Sequence, residues 1–298
     1  MRWFIKFLAV GFCFLFILSE LLFGSQLEYG KVYRLKDGMN ADEIMQIKYH
    51  NKYSLFAQDY SSTSRIIYVD PSGFKRSKEA VRKRIVKAGK EGVQYKDIIY
   101  LTYPSREKGL AILTWTYEDP QRDQDTWLWI PALKKVRKIS ASEADDSFMG
   151  SDLTVEEVST RRFEDESYRL LGEKVFEGYK VLETGEEKHK GTSCYIIECI
   201  PKRPHWYYSK RVILIDKNTG GNIFEQYYDK KGEIFKTIFR NWIWYDVGGG
   251  KQYPIQDIVE CKDLRTGHYS TVFVENSLYD KGIDEQEFTV RQLERSKW

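Results

Sequence analysis

Beyond residue 60, apolar and polar residues alternate along much of the chain, and this period of two predicts β-strands. In residues 110–117, for example, Ala111, Leu113 and Trp115 share one strand face, while the residues between them share the other. Turn residues, such as the Asp-Pro-Ser-Gly run at 70–73, separate the alternating segments. We predict about eleven strands, at residues 65–69, 82–88, 96–103, 110–117, 126–130, 195–200, 211–216, 222–228, 234–245, 255–264 and 269–275.

One early segment has a helical pattern instead. Asn40 is suited to cap a helix, Glu43 to complete a capping box, and Ile44 and Ile47 begin an apolar stripe. The helix is predicted to run to about Phe56. Two further segments have two interpretations each. Residues 155–171 are interpreted as a helix or an ordered loop, and residues 286–293 as a short helix or a final strand.

The short connections between the strands predict how the sheet is built. Strands joined by hairpins are mostly antiparallel, and the lack of strand–helix alternation excludes a doubly wound sheet. One sheet of this size has to twist and curl, or close on itself. The fold class is therefore mainly β (α+β), with the early helix and the segment after Val158 free to cover the concave face of the sheet.

The first 25 residues predict an exported protein. Arg2 and Lys6 supply positive charge, and residues 7–19 form an uncharged stretch that suits a signal peptide and is short for a membrane span. The cleavage site is poorly defined, so an uncleaved inner-membrane anchor stays an alternative. We predict a signal peptide at 1–25, a single domain at 26–298 and a periplasmic location.

Composition limits the classes of function. A hydrophobic content of 42% supports a sizeable core. A net charge of +3, carried by dispersed residues, argues against nucleic-acid binding, which needs a clustered basic face. The three cysteines beyond the signal are compatible with two states: a disulfide between Cys261 and either Cys194 or Cys199, or buried free thiols.

Familiar catalytic and cofactor motifs are absent from the sequence. No histidine has metal-ligand spacing, no glycine-rich phosphate loop occurs, and Ser151 lacks the frame of a nucleophile elbow. We predict no cofactor, no metal and no catalysis. The carboxylates within 145–157 are compatible with acid–base chemistry or with a solvated loop. The basic string at 134–138 is interpreted as a solvated turn or as a contact for acidic lipid headgroups.

Aromatic residues are the remaining feature. Trp127 and Trp129 share one strand face, and Trp242 and Trp244 share another. Ordinary cores also contain such stripes, but 21 Tyr, 16 Phe and 8 Trp exceed what packing alone requires. A curled sheet with large side chains on its concave face forms an apolar cavity, which suits a carrier of lipid or acyl chains.

Two adjacent runs resemble a known family. Residues 127–139 (WLWIPALKKVRKI) and the Phe-Met-Gly-Ser-Asp loop at 148–152 are similar to the bacterial outer-membrane lipoprotein-sorting proteins, the LolA-like group. The resemblance covers about residues 40–298. Supporting segments follow downstream in the order found in that family, at 163–165, 168–172, 200–202, 208–210 and 288–293.

The resemblance implies a strongly curved antiparallel half-barrel (LolA/LolB-like) whose open side is plugged by helices. The implied activity is noncovalent binding of a lipid or lipoprotein acyl chain and its transfer through the periplasm. The implied partners are the lipid itself, a membrane contacted peripherally and an inner-membrane exporter of the RND type, and we expect a monomer. Two alternatives stay open, namely an assembly subunit of an envelope export complex and an envelope hydrolase that uses the 145–157 carboxylates.

The predicted ligand contacts are large side chains from these strands and from the loop. The periodicity does not decide which strand faces line the cavity, because both faces of several strands are apolar. The candidate ligand-binding residues are Trp115, Tyr117, Trp127, Trp129, Phe148, Met149, Trp242 and Trp244.

Overall fold

The protein is described by a computed structural model that covers residues 27–140 and 143–295. The signal peptide predicted at 1–25 lies outside the described residues. Strands dominate the part of the chain that is described, and no helix in that part is long and apolar enough to cross a membrane.

Helix α1 (Ala41–Lys52) begins at the capping box predicted from the sequence. The side chain of Asn40 accepts a hydrogen bond from the backbone N–H of Glu43, and the Glu43 carboxylate accepts one from the backbone N–H of Asn40. The helix ends before the predicted position at Phe56. Its apolar side is buried against the sheet, and Ile44 is fully inaccessible to solvent.

Fifteen strands follow in the described residues, and all of the paired strands are antiparallel. Thirteen of them form one sheet, and two form a separate hairpin. The strands are β1 Asp59–Val69, β2 Lys75–Val86, β3 Val93–Tyr103, β4 Ala111–Tyr117, β5 Asp125–Ile130, β6 Lys135–Ile139, β7 Glu166–Val175, β8 Tyr179–Lys180, β9 Glu187–Lys188, β10 Ser193–Pro201, β11 Lys210–Asp216, β12 Asn222–Tyr228, β13 Ile234–Gly248, β14 Lys251–Asp263 and β15 Tyr269–Tyr279.

The chain builds the large sheet outward, crosses once and returns. β1 lies at the centre, and β2 to β6 follow one after another to one edge. The chain then crosses to β7 at the other edge, and β10 to β15 return in order until β15 pairs with β1. The two edge strands, β6 and β7, do not pair with each other in the described structure, so the curved sheet is a half-barrel. The predicted fold class is confirmed.

The curvature brings the two halves of the sheet face to face. Ile99 and Ile112 from one half belong to the same buried apolar cluster as Ile238 and Val259 from the other half. Only an enclosed face can join residues of both halves, so this face is the concave interior. Helix α1 closes one end of the interior by packing against β3, β10 and β11.

Two other segments cover the opposite, convex face. The C-terminal segment, which includes helix α2 (Val290–Arg295), packs Phe288 and Leu293 against β3 and β4. The hairpin of β8 and β9 covers the convex side of the other half, where Val181 packs against Phe239. The helical alternative for residues 286–293 is therefore correct.

Both edge strands differ from the sequence prediction. The basic string interpreted as a turn forms β6, which pairs with β5. The segment 155–171 contains a single π-helical turn at Glu156–Thr160 and a short turn at Phe163–Asp165, and β7 occupies its remainder. Edge strands carry exposed charged residues that discourage pairing with other chains. Such residues weaken the alternating pattern on which strand prediction depends.

The cysteines in the described residues are buried free thiols. Cys194 and Cys199 pack into different apolar clusters, as expected for side chains on opposite faces of β10. Burial raises the pKa of the Cys194 thiol to about 12, so this thiol is protonated and unreactive at neutral pH.

Candidate ligand-binding interior

A loop of the chain itself occupies part of the concave interior. Residues 147–160 form this loop and are named the lid segment. At its tip the backbone N–H of Phe148 donates to the carbonyl of Leu153 at 2.7 Å. Met149 and Gly150 take left-handed backbone conformations, with φ of 51° and 79°, to complete the turn. The Phe-Met-Gly-Ser-Asp loop is thus the tip of the lid segment.

A few hydrogen bonds hold this tip against the sheet. The Lys78 ammonium donates to the carbonyl of Met149 at 2.8 Å. The hydroxyl of Ser270 donates to the Asp152 carboxylate at 2.5 Å, and the Asp152 backbone N–H donates to the Ser270 hydroxyl at 3.1 Å. The Tyr68 hydroxyl also donates to the Met149 carbonyl, at 3.3 Å. A hydrogen bond that involves a charged group contributes about 1.5–3 kcal/mol and a neutral one about 1 kcal/mol.

Buried ion pairs hold the base of the lid segment. The Glu156 carboxylate accepts from Arg161 Nε at 2.7 Å, and Glu157 lies 3.2 Å from the ammonium of Lys236 on β13. All four side chains are buried. Removing one partner of such a pair costs about 3–5 kcal/mol, because the other charge is left uncompensated. The base is therefore held by two buried ion pairs, whereas the tip is held by hydrogen bonds and apolar packing.

A small cavity lined by aliphatic, polar and charged side chains lies behind the lid segment. Its volume is about 90 Å³, and Phe148, Leu153 and Val158 of the lid form one wall. Valines of β14 and β15, such as Val259 and Val272, form the opposite wall. Ligand pockets usually have volumes of about 300–1,000 Å³. The cavity is therefore too small for a ligand of that size while the lid segment fills the interior.

On the other side of the lid segment, a groove of about 380 Å³ opens between the two edges of the sheet. Val155 and Glu156 of the lid line its floor, with Thr126 on one side and Trp206 and Tyr208 on the other. The lid segment thus lies between this groove and the interior cavity.

A buried ionic cluster lies where helix α1 meets β7 and β11. The guanidinium of Arg211 donates to both Glu166 oxygens at 2.6 Å and to Glu225 at 2.5 Å. The hydroxyl of Tyr208 also donates to Glu166, at 2.8 Å. Burial raises the pKa of Glu166, but the Arg211 charge outweighs burial and brings that pKa to about 2. This cluster fixes the closed end of the interior.

Two lysines of α1 differ from that cluster, because neither has a carboxylate partner in the described residues. Lys48 is buried, with its ammonium 3.7 Å from the centre of the Tyr49 ring. Lys52 lines the interior cavity, with its ammonium 4.9 Å from the centre of the Tyr53 ring. Burial lowers the pKa of both lysines well below 10.5, and the Lys48 charge lowers that of Lys52 further.

Two of the predicted ligand contacts, Phe148 and Met149, lie in the interior. Both are buried in the cluster that joins the two halves of the sheet, and Phe148 lines the cavity. Their role in binding stays a prediction, and their position supports it.

The predicted contacts on β4 and β5 lie elsewhere. Trp115, Trp127 and Trp129 lie on the convex face beneath the C-terminal segment, and the Trp115 indole donates to a carbonyl of that segment at 2.9 Å. Tyr117 bonds to Asp125 at 2.5 Å, near the end of β4. Their assignment as ligand contacts stays a prediction. It assumed that these side chains face the interior, whereas in the structure the alternate residues of these strands face inward.

The two tryptophans of β13 are also outside the interior. Trp242 packs into the convex-side cluster, and the guanidinium of Arg34 stacks over Trp244 at 4.1 Å. A bulge between Asn241 and Trp242 shifts the register at this point. Such a shift reverses the side on which later residues point, and the sequence pattern does not reveal it.

Sequence reasoning missed most of the interior lining. The apolar wall consists of aliphatic side chains, among them Ile66, Val272 and Val274, and its polar part includes Arg82 and Arg240. One sequence pattern indicates this polar part. Ala80, Arg82 and Arg84 share one face of β2, so two basic residues follow an apolar one on the face that points into the interior.

The carboxylates within 145–157 do not form one site. Asp145 and Asp146 are exposed, and Asp152 bonds to a serine of β15. Glu156 and Glu157 are each paired with a different cation. Within residues 27–140 and 143–295, no group of three or more His, Cys, Asp or Glu side chains is arranged to hold a metal ion.

The chain matches a protein family over most of its length. The model of this family covers residues 94–295, and its description reads "Uncharacterized protein". A search of curated proteins finds no match.

Solved structures share the fold. A domain from Vibrio parahaemolyticus described as an outer membrane lipoprotein-sorting protein is 23% identical, with a TM-score of 0.71, over 86% of this chain and 98% of that one. A DUF1329 family protein from Desulfovibrio piger is 24% identical, with a TM-score of 0.66, over 80% and 92%. A LolA superfamily protein from Nitrosomonas europaea is 15% identical, with a TM-score of 0.59, over 85% and 99%. The resemblance drawn from residues 127–139 and 148–152 is confirmed in the fold.

Proposed function

The chain belongs to the family matched over residues 94–295 and has the LolA-like fold, and from this premise we propose that it is a carrier for the acyl chain of a lipid or lipoprotein. The carrier binds the chain noncovalently in its concave interior and releases it unchanged, without catalysis. It works in the periplasm as a monomer. The predicted signal at 1–25 and the lipoprotein-sorting description of the Vibrio domain support this location.

One observation carries the proposal: the lid segment fills an apolar interior that the sheet alone leaves open. Phe148, Leu153 and Val155 pack between the two halves of the sheet as an acyl chain would. The tip of the lid is attached by few hydrogen bonds, whereas its base is fixed by buried ion pairs. A segment held in this way can swing out and return.

The energetics favour exchange between lid and ligand. An acyl chain in water is disfavoured by about 0.8 kcal/mol for each CH₂ group, so a carrier has to shelter it. Removing the lid from the interior exposes apolar side chains at a cost of about 25 cal/mol per Å². A bound chain covers the interior in place of the lid, so the cost of displacing the lid offsets part of the binding free energy. Binding is then favourable enough for uptake and weak enough for release.

A binding experiment tests the carrier function. We expect the protein purified from an envelope extract under gentle conditions to contain lipid detectable by mass spectrometry. We also expect the delipidated protein to bind a fluorescent fatty acid at micromolar concentration. Absence of both co-purified lipid and probe binding would contradict the proposal.

A disulfide that joins the lid tip to the sheet tests whether the ligand enters by movement of the lid. The Ser270 hydroxyl lies 2.5 Å from an Asp152 carboxylate oxygen, so the two side chains are in contact. The pair Asp152→Cys and Ser270→Cys is therefore chosen to join the tip to β15 by a disulfide. The free thiol Cys261, which lies opposite Ser270 in the sheet, is first replaced by serine. We expect the oxidised variant to bind no fatty acid and the same variant after reduction to bind it. Equal binding in both states would exclude movement of the lid tip.

One observation favours the alternative of an assembly subunit. Strand β7 is an edge of the sheet, and its side chains Leu171 and Val175 are 46% and 61% exposed. Exposed apolar residues on a sheet edge favour contact with another protein. If this surface carries the function, Leu171→Glu with Val175→Glu abolishes activity in cells while fatty-acid binding in vitro is unchanged.

A further inference from the structure

The interior cavity is lined by both aliphatic and basic side chains. Ile66, Val272 and Val274 are among the aliphatic ones. The basic ones are Lys52, Arg82 and Arg240. A cavity that receives only hydrocarbon has no use for cationic walls, because burying a charge away from water is costly.

One of the two arginines that line the cavity, Arg82, is only partly neutralised. Arg82 forms two hydrogen bonds with Asp97, at 3.1 and 2.7 Å. That single carboxylate also lies 3.3 Å from Arg84 Nε, and Arg84 Nη2 has no hydrogen-bond partner in the described structure. Two guanidinium groups therefore share one carboxylate.

Arg240 is held in the ionic cluster described above. It donates to Glu225 at 2.9 Å, and the same carboxylate is bonded to Arg211 at 2.5 Å. The remaining hydrogen bond of Arg240 goes to the neutral amide oxygen of Gln256, at 3.2 Å. Because Arg211 also pairs with Glu166, the two arginines are balanced by two carboxylates.

Glu157 is the one acidic residue among the residues that line the cavity, and it is already occupied. Its oxygens lie 3.3 and 3.2 Å from the Lys236 ammonium, and they accept from the Tyr207 hydroxyl at 3.1 Å and the Thr154 backbone N–H at 2.8 Å. Lys52, in contrast, has no carboxylate within 4.0 Å in the described residues. The Lys52 amine at the cavity wall is thus left without an acidic partner.

We propose that the interior receives an acidic amphiphile, whose carboxylate or phosphate group binds at Lys52 with Arg82 and Arg240 while its alkyl chain takes the place of the lid. This proposal rests on the carrier function proposed above and adds the chemical class of the cargo. A charge-assisted hydrogen bond to the unpaired ammonium supplies both its missing partner and selectivity for an anion.

The test compares two ligands that differ only in charge: a fluorescent fatty acid and its methyl ester. We expect the acid to bind at least tenfold more tightly than the ester. We expect Lys52→Met, which keeps the length of the side chain and removes its charge, to abolish that difference without weakening binding of the ester. Lys230→Met, which removes the same charge from an exposed turn, is the matched control and should behave as wild type.

The outcomes separate the two proposals. If neither ligand binds, the carrier function itself fails. If both bind with equal affinity, or if Lys52→Met keeps the preference for the acid, the carrier function stands and the acidic cargo is overturned. Phosphatidic acid and inorganic phosphate are used as competitors to distinguish lipid from free anion. We expect displacement by phosphatidic acid only, and displacement by millimolar inorganic phosphate alone would overturn the amphiphile as cargo.

Discussion

At the scale of single residues, Gly221 shows how closely the convex side of the sheet is packed. A Cβ atom at this position would lie 2.2 Å from Cδ2 of Trp242, which is buried. The indole of Trp242 is itself held by a 3.1 Å hydrogen bond to the carbonyl of Asn222. We expect Gly221→Ala to lower the free energy of unfolding by about 2–3 kcal/mol through overpacking, measured by urea denaturation.

A double-mutant cycle serves as the control. The penalty of Gly221→Ala should become much smaller in a Trp242→Leu background, because the smaller side chain leaves room for the methyl group. A penalty that is the same in both backgrounds would mean that the cost comes from the backbone instead.

Glu166 predicts a dependence of stability on pH. Its pKa is about 2 in the folded protein, against 4.5 for an ordinary glutamate. The lowered pKa means that its contribution is fully present above about pH 4.5 and is lost as the pH falls towards 2. We expect Glu166→Gln to lower the free energy of unfolding by about 3 kcal/mol at pH 7 and to have much less effect near pH 2.

The measurement is a series of denaturation curves between pH 7 and pH 2 for wild type and variant. Glu164→Gln, an exposed neighbour, is the control and should match wild type throughout. A difference between wild type and Glu166→Gln that stays constant over this pH range would show that the ion pair with Arg211 is not its source.

At the scale of elements, the C-terminal segment explains the role of the tryptophans on β4 and β5. Trp129 lies in the cluster that includes Phe288 and Leu293 of this segment. We expect Trp129→Ala to lower the free energy of unfolding by roughly 2 kcal/mol, since the side chain is half-buried. Affinity for a fluorescent fatty acid should not change. Lower affinity with unchanged stability would restore Trp129 as a ligand contact.

Local signals were enough to predict most elements. The capping box at Asn40 and Glu43 is a contact between neighbours in the chain, and the turn residues at 70–73 act within one hairpin. The strands between such turns follow from their alternation. Strands β6 and β7 were missed because an edge strand is defined by what lies beside it, and this information is not local.

The binding interior was harder to predict, for the same reason. Ile112 faces the interior and Leu113 the convex side, yet both are apolar, because the C-terminal segment covers the convex face. The alternation therefore predicts two apolar faces and does not show which of them points into the interior. The tip of the lid segment has a sequence that resembles a known family, whereas the position of Lys52 on the cavity wall is a property of the fold that the sequence pattern does not show.

At the scale of the whole molecule, the half-barrel has two ways to admit a ligand. Either the lid segment leaves the interior, or the edges β6 and β7 move apart. The sheet has thirteen strands linked by continuous ladders, and many hydrogen bonds would have to strain for it to open. The lid tip is held by apolar packing and by only a few hydrogen bonds, so movement of the lid breaks fewer hydrogen bonds than opening of the sheet.

Hydrogen exchange distinguishes the two routes. When a fatty acid is bound, we expect the backbone amide of Phe148, which is bonded to Leu153 in the free protein, to exchange faster. Amides of β13 such as Ile238 should stay protected, as should Arg161, whose N–H is bonded to the Glu156 carbonyl at the lid base. Faster exchange in β5 and β6 with an unchanged lid would indicate that the edges separate. Faster exchange at the tip alone means that the lid swings on a fixed base while the sheet stays intact.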